Sequence, residues 1–275
     1  MSERDFEGYV DVPGGRLWAQ WAGEGSGVLL IHAGIADARM WDPQWEALAA
    51  RHRVVRYDTR GFARSETDDV PFSNRADLVA VMDAAGMDRA VIVGCSRAGS
   101  IALDTTLEFP ARVAGVAWVC GGISGFEGED EPEAMALFER QEALVEAKDW
   151  AAAADLDVAI WVDGMGQPAG RAAEPVRELV RRMCLETYVQ EKTTGQPIVL
   201  DPPAIGRLAE IRVPVLAISG DLDLPATAET AGLIASTVPG ARRIDLPDVA
   251  HMPSLERPEW FTETLLAFLA EVAAA

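Results

Sequence analysis

Short apolar runs recur along most of the chain, and longer segments with helical spacing separate them. The runs rich in β-branched residues predict buried strands at Val28–His32, Arg53–Tyr57, Ala90–Gly94, Val113–Cys120 and Val215–Gly220. A shorter and weaker run, Ile244–Leu246, predicts one more strand after these. Near the amino terminus, Phe6–Val12 and Arg16–Trp21 flank Pro13-Gly14-Gly15, which predicts a hairpin and an antiparallel start to the sheet.

The segments between these runs have the periodicity of helices. Apolar residues recur at helical spacing in Met40–Ala50, Ala76–Gly86, Arg97–Phe109, Thr227–Val238 and Pro258–Ala274. Strands and helices that alternate this regularly favour an α/β fold with a doubly wound, mostly parallel sheet.

The alternation breaks between residues 121 and 206. This segment is rich in Ala, Glu and Asp, and helical spacing predicts helices at Glu133–Lys148, Ala151–Val162 and Pro175–Gln190. We interpret residues 121–206 as a helical lid inserted into a core made of residues 1–120 and 207–275. An ordinary helical layer of the core is the alternative, and the return to strand at Ile211–Gly220 favours the insertion.

Composition and charge limit the kinds of molecule that the protein is expected to bind. The chain has 275 residues, 49% of them hydrophobic, which suits one large α/β domain with an insertion. The formal net charge is −20, and residues 121–206 contribute half of it with 17 acidic and 7 basic residues. Such a surface repels phosphate backbones and anionic membranes, so we expect a small-molecule partner rather than nucleic acid or a membrane.

Cysteines, histidines and the amino terminus point to no cofactor and no secretion. The three cysteines are scattered, and the three histidines lack the spacing of a zinc site. We therefore expect neither a metal nor another cofactor. Met1–Val10 lacks the apolar core of a signal peptide, which favours a cytoplasmic protein. A homo-oligomer is compatible with the sequence.

The strongest chemical signal is Ala90-Val-Ile-Val-Gly-Cys-Ser-Arg-Ala-Gly99. Ser96 stands between a predicted strand and a predicted helix, which is the context of a nucleophile elbow. Small residues must flank such a turn, and Gly94 and Ala98 do so, although Gly is usual where Ala98 stands. The turn exposes Ser96 Oγ and points the backbone amide of Arg97 at the attacked carbonyl oxygen.

Four segments together resemble the α/β-hydrolase superfamily. Val93–Gly99 resembles its elbow, Leu29–Gly34 its oxyanion loop, Arg56–Ser65 its Asp-x-Arg-Gly turn with Ala63 in place of a Gly, and Asp248–Pro253 its histidine loop. The resemblance covers the whole chain except the lid. Met40–Gln44 with Arg56–Asp58 is most similar to the carboxylesterase and 3-oxoadipate enol-lactonase branch.

The resemblance implies the rest of the site. His251, on the loop before the last helix, takes the place of the general base. By position alone, His32 closes a buried strand and suits a structural role, and His52 lies among arginines and is expected at the surface. Asp223 takes the place of the acid, with Asp221 as its near rival and Asp248 too local to His251. The second oxyanion donor is the Gly34 amide, or else that of Ile35. Asp58 and Arg60 are expected to hold their own loop.

Arg97 and three tryptophans allow two interpretations each. We expect the Arg97 side chain to point outward and pair with an acidic lid residue; the alternative is a cation that binds a substrate carboxylate. Trp118, Trp150 and Trp161 are expected to pack in the core or lid, although they could instead wall an apolar pocket.

These residues predict a serine hydrolase that cleaves an ester or lactone through an acyl-enzyme. Dehalogenases and epoxide hydrolases of this fold use an Asp nucleophile, so Ser96 argues against both. A carbon–carbon bond hydrolase or a cofactor-free haloperoxidase would keep the same three residues. A ligand-binding receptor without turnover, or an interaction module that works through the acidic lid, are the alternatives outside catalysis.

Overall fold

A computed structural model describes residues 5–128, 132–192 and 195–274, so Met1–Arg4 of the amino-terminal segment lie outside the described residues. These residues form one nine-stranded sheet. Its strands are β1 (Phe6–Val12), β2 (Gly15–Ala22), β3 (Gly27–Ile31), β4 (Arg53–Tyr57), β5 (Glu66–Thr67), β6 (Ala90–Cys95), β7 (Val113–Val119), β8 (Val215–Gly220) and β9 (Arg242–Leu246).

The strands lie in the order β1-β2-β4-β3-β6-β7-β8-β9, with β5 beside β2. The predicted hairpin is confirmed, since β1 pairs antiparallel with β2 and β2 pairs antiparallel with β4. From β4 to β9 each pair is parallel. The mostly parallel sheet is therefore confirmed, whereas β5 was not predicted because two residues carry no periodicity.

Helices cover both faces of the sheet, as its apolar strands require. They are α1 (Asp42–Ala49), α2 (Asn74–Ala84), α3 (Arg97–Glu108), α4 (Pro132–Glu146), α5 (Trp150–Asp157), α6 (Glu174–Gln190), α7 (Pro225–Thr237), α8 (Pro253–Glu256) and α9 (Pro258–Ala274). Residues of α2, α3 and α7 pack into one buried apolar cluster, and residues of α1 and α9 into a second. Alternate residues of the strands supply the facing side chains, which is why these strands are apolar on both faces.

The strand order reverses at the centre of the sheet. From β3 the chain first adds β4 on one side, and then returns to add β6 on the other side. In open α/β sheets the crevice outside the carboxyl ends of the strands at such a point is the usual ligand site. Ser96 follows β6 directly, so it lies at this crevice.

The segment between β7 and β8 contains α4, α5 and α6, close to the predicted bounds. The prediction of a single helix over Ala151–Val162 was wrong in one respect, because α5 ends at Asp157 and a π-helix continues over Val158–Gly164. The wider turn of a π-helix leaves little trace in the apolar spacing, and such turns are frequent at functional sites. Ala154, Val158 and Val180 of this segment join the second apolar cluster.

Among the described residues, none of the helices combines the length and the apolar character that crossing a membrane requires.

Candidate active site

Ser96 occupies the strained turn predicted between β6 and α3. Its backbone has φ 61° and ψ −127°, a conformation that residues other than Gly rarely adopt and that costs about 1 to 3 kcal/mol. A Cβ on Gly94 would lie 2.3 Å from the Ala98 carbonyl oxygen, so only Gly fits there. Ala98 itself is fully buried within α3. The turn therefore requires Gly before the serine and accepts Ala after it.

His251 and Asp223 come together although 28 residues separate them in the chain. The distance from His251 Nδ1 to Asp223 Oδ2 is 2.7 Å, and the two side chains are 6% and 2% exposed. The Leu224 amide donates to the other carboxylate oxygen, Asp223 Oδ1, at 2.8 Å. A carboxylate can only accept, so Nδ1 of the imidazole carries the hydrogen and Nε2 is left with a lone pair.

The near rival, Asp221, lies elsewhere. It follows β8 directly and is exposed, and its backbone amide donates to the Leu246 carbonyl at 2.9 Å. Asp248 also does not reach the imidazole through its side chain in any described hydrogen bond; its carbonyl accepts from Arg171 at 2.9 Å. The geometry therefore selects Asp223 as the partner of His251.

The side chain of Ser96 is not hydrogen-bonded to His251 in this structure. Among the described residues, Ser96 Oγ makes no hydrogen bond, although the turn and the imidazole both follow strands at the same edge of the sheet. The His251 carbonyl is 3.7 Å from Sγ of Cys95, the residue before Ser96. Hydrogen bonds between a nucleophile and its base are often long without substrate and tighten when it binds.

Cys120 lies beside the histidine and the acid. It follows β7, and its Sγ together with ligand atoms of Asp223 and His251 forms a group within 4.8 Å. The three could in principle hold a metal ion, but the Asp223–His251 hydrogen bond already uses Nδ1 and one carboxylate oxygen. Burial raises the pKa of the Cys120 thiol well above its ordinary value, which keeps the sulfur neutral.

The predicted oxyanion donors have their amides available. Neither the Gly34 amide nor the Arg97 amide donates to another backbone group within the described ranges, and the same holds for Ile35, the fallback. Gly34 and Arg97 lie next to each other: a Cβ on Gly34 would be 3.5 Å from Arg97 Cδ. The loop after β3 and the start of α3 therefore lie on the same side of Ser96.

The expectation that Arg97 points outward to a lid acid was wrong. Its guanidinium instead donates to Thr59 Oγ1, and its Cζ lies 4.5 Å from the centre of the Phe62 ring. In the described part of the chain, no carboxylate lies within ion-pair distance of it. The position of Arg97 at the start of α3 does not predict these contacts, because Thr59 and Phe62 belong to the distant loop after β4.

The remaining histidines lie away from this group: His32 is structural, as expected, and His52 is partly exposed. His32 is fully buried, and its ring bonds to the Ala33 carbonyl at 2.8 Å and to the Thr59 amide at 3.0 Å. His52 Nδ1 lies 2.9 Å from Ser26 Oγ, near the amino ends of the strands.

The expected loop-holding roles of Asp58 and Arg60 are also confirmed. Asp58 accepts from the Ala38 amide and from Arg64. Arg60 pairs with Asp77 through two nitrogens, at 2.6 and 2.9 Å.

The helical segment touches both sides of the site. The ring of Trp161, in the π-helix, lies 4.6 Å from the ring of His251, and the Trp161 carbonyl accepts from the His251 amide at 3.2 Å. On the other side, Cys184 of α6 contacts the Ile35 carbonyl with its Sγ at 3.2 Å. Of the three tryptophans, Trp118 is fully buried in the core and Trp161 adjoins the site.

A buried acid group lies inside this helical segment. Asp157 of α5 accepts from the Tyr188 hydroxyl of α6, which in turn accepts from Gln141 of α4 at 2.7 Å. Burial raises the pKa of Asp157 to about 6. The three helices are thus connected through one titratable carboxyl.

Sequence reasoning missed several neighbours of the site. Cys120 could have been found, since it ends the strand next to Ser96 and precedes Gly121-Gly122. Trp161 was named only as an alternative pocket wall, and its contact with His251 was not predicted. Thr59 and Phe62 gave no signal, because their contacts depend on how the loop after β4 folds over the sheet.

Known proteins resemble this chain over most of its length. The family model described as "Alpha/beta hydrolase family" matches residues 28–264. A putative carbamate hydrolase, RutD, from Azorhizobium caulinodans is 30% identical over 93% of this chain and 96% of its own length. A pimeloyl-[acyl-carrier protein] methyl ester esterase from Pectobacterium atrosepticum is 25% identical over 90% of this chain and 97% of its own.

A solved structure gives the same result for the fold. The enol-lactonase from Burkholderia xenovorans LB400 superimposes with a TM-score of 0.76 and 26% identity, over 96% of this chain and 100% of that one.

Proposed function

Since the chain belongs to the alpha/beta hydrolase family, we propose that it is a serine hydrolase that cleaves an ester or lactone bond of a small molecule through an acyl-enzyme. The observation that carries this proposal is Ser96 in the strained turn at the carboxyl end of β6, beside the 2.7 Å bond between His251 and Asp223. The relatives named as an esterase and an enol-lactonase support the choice of bond.

In the first half of the reaction, Ser96 Oγ attacks the carbonyl carbon while His251 Nε2 takes its proton. Asp223 holds the imidazole in the tautomer with hydrogen on Nδ1 and stabilises the cation that forms. The amides of Arg97 and Gly34 donate to the developing oxyanion, and each such donor contributes about 3 kcal/mol. The carbon–oxygen bond then breaks, and His251 returns the proton to the leaving alkoxide.

In the second half, water attacks the acyl-enzyme. His251 takes a proton from the water, the oxyanion forms again in the same place, and Ser96 leaves with the proton returned by His251. The products are the free acid and regenerated enzyme. No step requires a group other than those of the chain, the substrate and water.

We further propose that residues 121–206 act as the lid of this site. Trp161 packs against the base, and Cys184 packs against the loop that carries Gly34. A segment that contacts both the base and the oxyanion loop can exclude water from the reacting bond and shape the acyl pocket.

The experiment is a comparison of Ser96→Ala with the unmodified protein on p-nitrophenyl butyrate and a γ-lactone. We expect kcat to fall by about 10⁴- to 10⁶-fold in the variant, with an unchanged circular dichroism spectrum. Turnover that survives in Ser96→Ala contradicts the assignment. Turnover of vinylogous diketones or carbamates by the unmodified protein, without turnover of esters and lactones, would move the function to carbon–carbon or carbon–nitrogen bonds.

A further inference from the structure

The side chain of Arg97 lies on the oxyanion side of Ser96. Its Cδ is 3.5 Å from the place of a Cβ on Gly34, and its guanidinium donates to Thr59 Oγ1 above the ring of Phe62. Gly34 lies in the loop after β3, and Thr59 and Phe62 lie in the loop after β4, so these contacts place Arg97 between the two loops. A cation therefore stands beside the position that the substrate carbonyl takes in the proposed reaction.

This cation lacks a counter-ion among the described residues. The nearest loops do contain acids, but Asp58 pairs with Arg64 at 2.8 Å and Asp37 pairs with Arg39 at 2.6 Å. In the part of the chain that is described, Arg97 Nε is shielded from solvent and has no hydrogen-bond partner.

Arg60 provides a contrast, since its side chain is 1% exposed and two of its nitrogens, Nε and Nη2, donate to Asp77. Burying a cation without an opposite charge is costly, so proteins seldom leave a guanidinium in this state.

The groups that hold Arg97 are neutral. Because His32 Nδ1 donates to the Ala33 carbonyl, its Nε2 accepts from the Thr59 amide, and Thr59 Oγ1 lies 3.0 Å from the same Nε2. Burial and the neighbouring Arg97 charge lower the pKa of His32 to about 4, which keeps the ring uncharged at neutral pH. Burial also lowers the pKa of Arg97 to about 10, so the guanidinium remains a cation there.

A ligand can reach this side chain. Arg97 lines a cavity of about 220 Å³ together with Ser100 and Ile101 of α3 and with Ile198 and Val199, which follow α6. The other two charged residues of that cavity have hydrogen-bond partners. Arg75 pairs with Glu108, and Asp104 accepts from Ser124 Oγ at 2.5 Å.

We propose that Arg97 is a substrate-recognition residue, and that the ester or lactone cleaved at Ser96 carries a carboxylate on its acyl portion that pairs with the Arg97 guanidinium. The planar fork of a guanidinium matches a carboxylate in shape and in charge. This inference rests on the proposed function and adds the chemical class of the substrate. The substrate is then a half-ester of a dicarboxylic acid or a lactone with a free carboxylate.

The test uses matched ester pairs that differ only in charge. Monomethyl succinate, glutarate and adipate are compared with methyl butyrate, valerate and hexanoate, in which a methyl group replaces the terminal carboxylate. For at least one chain length we expect kcat/KM to be about 10- to 100-fold higher for the anionic ester, the effect of one hydrogen bond to a charged group. We expect Arg97→Gln to lose this preference.

Arg51→Gln is the matched control. Arg51 is exposed and lies before β4, at the end of the parallel strands opposite to Ser96, so the same loss of charge there leaves the preference unchanged. A wild-type preference for the neutral ester at all three lengths overturns the inference. So does an anionic preference that survives in Arg97→Gln.

A binding measurement separates this inference from the proposed reaction, and it does not depend on the folding of an Arg97 variant. Ser96→Ala is titrated calorimetrically with each pair of esters. Tighter binding of the anionic member supports the inference, and equal or weaker binding overturns it, even if the unmodified protein cleaves none of these esters. Absence of any ester cleavage would instead contradict the proposed function.

Discussion

Asp223 is the residue that holds the imidazole of His251 in place. Its two oxygens are both used, one by His251 Nδ1 at 2.7 Å and one by the Leu224 amide at 2.8 Å. This leaves the imidazole with a single productive tautomer. The side chain is 2% exposed, so solvent does not compete for the carboxylate.

We predict that Asp223→Asn lowers kcat by about 10⁴-fold on an ester substrate, because the amide can donate to Nδ1 and so favours the wrong tautomer. Steady-state kinetics on p-nitrophenyl butyrate measure the loss. Asp221→Asn is the control, since Asp221 is exposed and lies two residues away, and it should keep nearly full activity. Equal losses in the two variants would remove Asp223 from its role.

For single residues, the sequence predicted which residues belong to the site but not which side chains they contact. Ser96 was predictable because a strained turn between strand and helix leaves a pattern of small residues, with Gly94 confined by the Ala98 carbonyl. The position of the Arg97 side chain was not predictable. The Arg97 side chain contacts Thr59 and Phe62 in the loop after β4. These residues lie near Arg97 only because β4 packs beside β3 in the folded sheet.

The helices between β7 and β8 are held together by a titratable group. Asp157 is 2% exposed and accepts a hydrogen bond from Tyr188, yet burial still raises its pKa from 3.8 to about 6. The folded state therefore favours the protonated carboxyl. Its stabilising contribution is complete at a pH below 3.8 and is lost as the pH rises through about 6.

We predict that Asp157→Asn becomes more stabilising, relative to the unmodified protein, as pH rises. The amide keeps an oxygen for the Tyr188 hydroxyl but cannot ionise, so the difference in unfolding free energy should grow by about 1.4 kcal/mol from about pH 5 to about pH 8. Denaturant unfolding at the two pH values measures it.

Asp155→Asn serves as the control for this experiment, because Asp155 is exposed on the same helix and pairs with Arg181 at the surface. A pH-independent difference for Asp157→Asn would contradict the account of the buried carboxyl. A difference of the same size in both variants would do so as well.

Most elements were predictable because their apolar spacing is regular. β4, β8 and α9 have the bounds that periodicity predicts, and the other long elements differ by only a few residues. The exceptions are β5 and α8, which are too short for a pattern, and the π-helix Val158–Gly164, which carries Trp161 against His251.

For the molecule as a whole, sheet order determines where the chemistry lies. Parallel strands β6, β7 and β8 are neighbours, so the residues that follow them, Ser96, Cys120 and the Asp223 turn, come to the same edge. Alternation of strands and helices predicted this edge. It could not predict which residues of the segment between β7 and β8 contact the site, such as Trp161 against His251.

Net charge also acts at this scale. The chain carries −20 formal charges, yet Arg97 stands at the predicted crevice without a carboxylate partner among the described residues. An acidic surface repels anionic ligands at long range, and screening by salt confines that repulsion to about 8 Å at physiological ionic strength. The Arg97 guanidinium within the crevice can therefore select an anionic substrate that the surface does not attract.

The most direct test of the account is to identify the residue that a fluorophosphonate probe modifies. The account predicts one phosphonyl adduct per chain, formed as Ser96 Oγ displaces fluoride, and located on Ser96 by peptide mass spectrometry. Ser96→Ala should remain unlabelled under the same conditions, and Asp223→Asn should react more slowly. An adduct on another residue, or a folded protein that the probe leaves unmodified, would contradict the account.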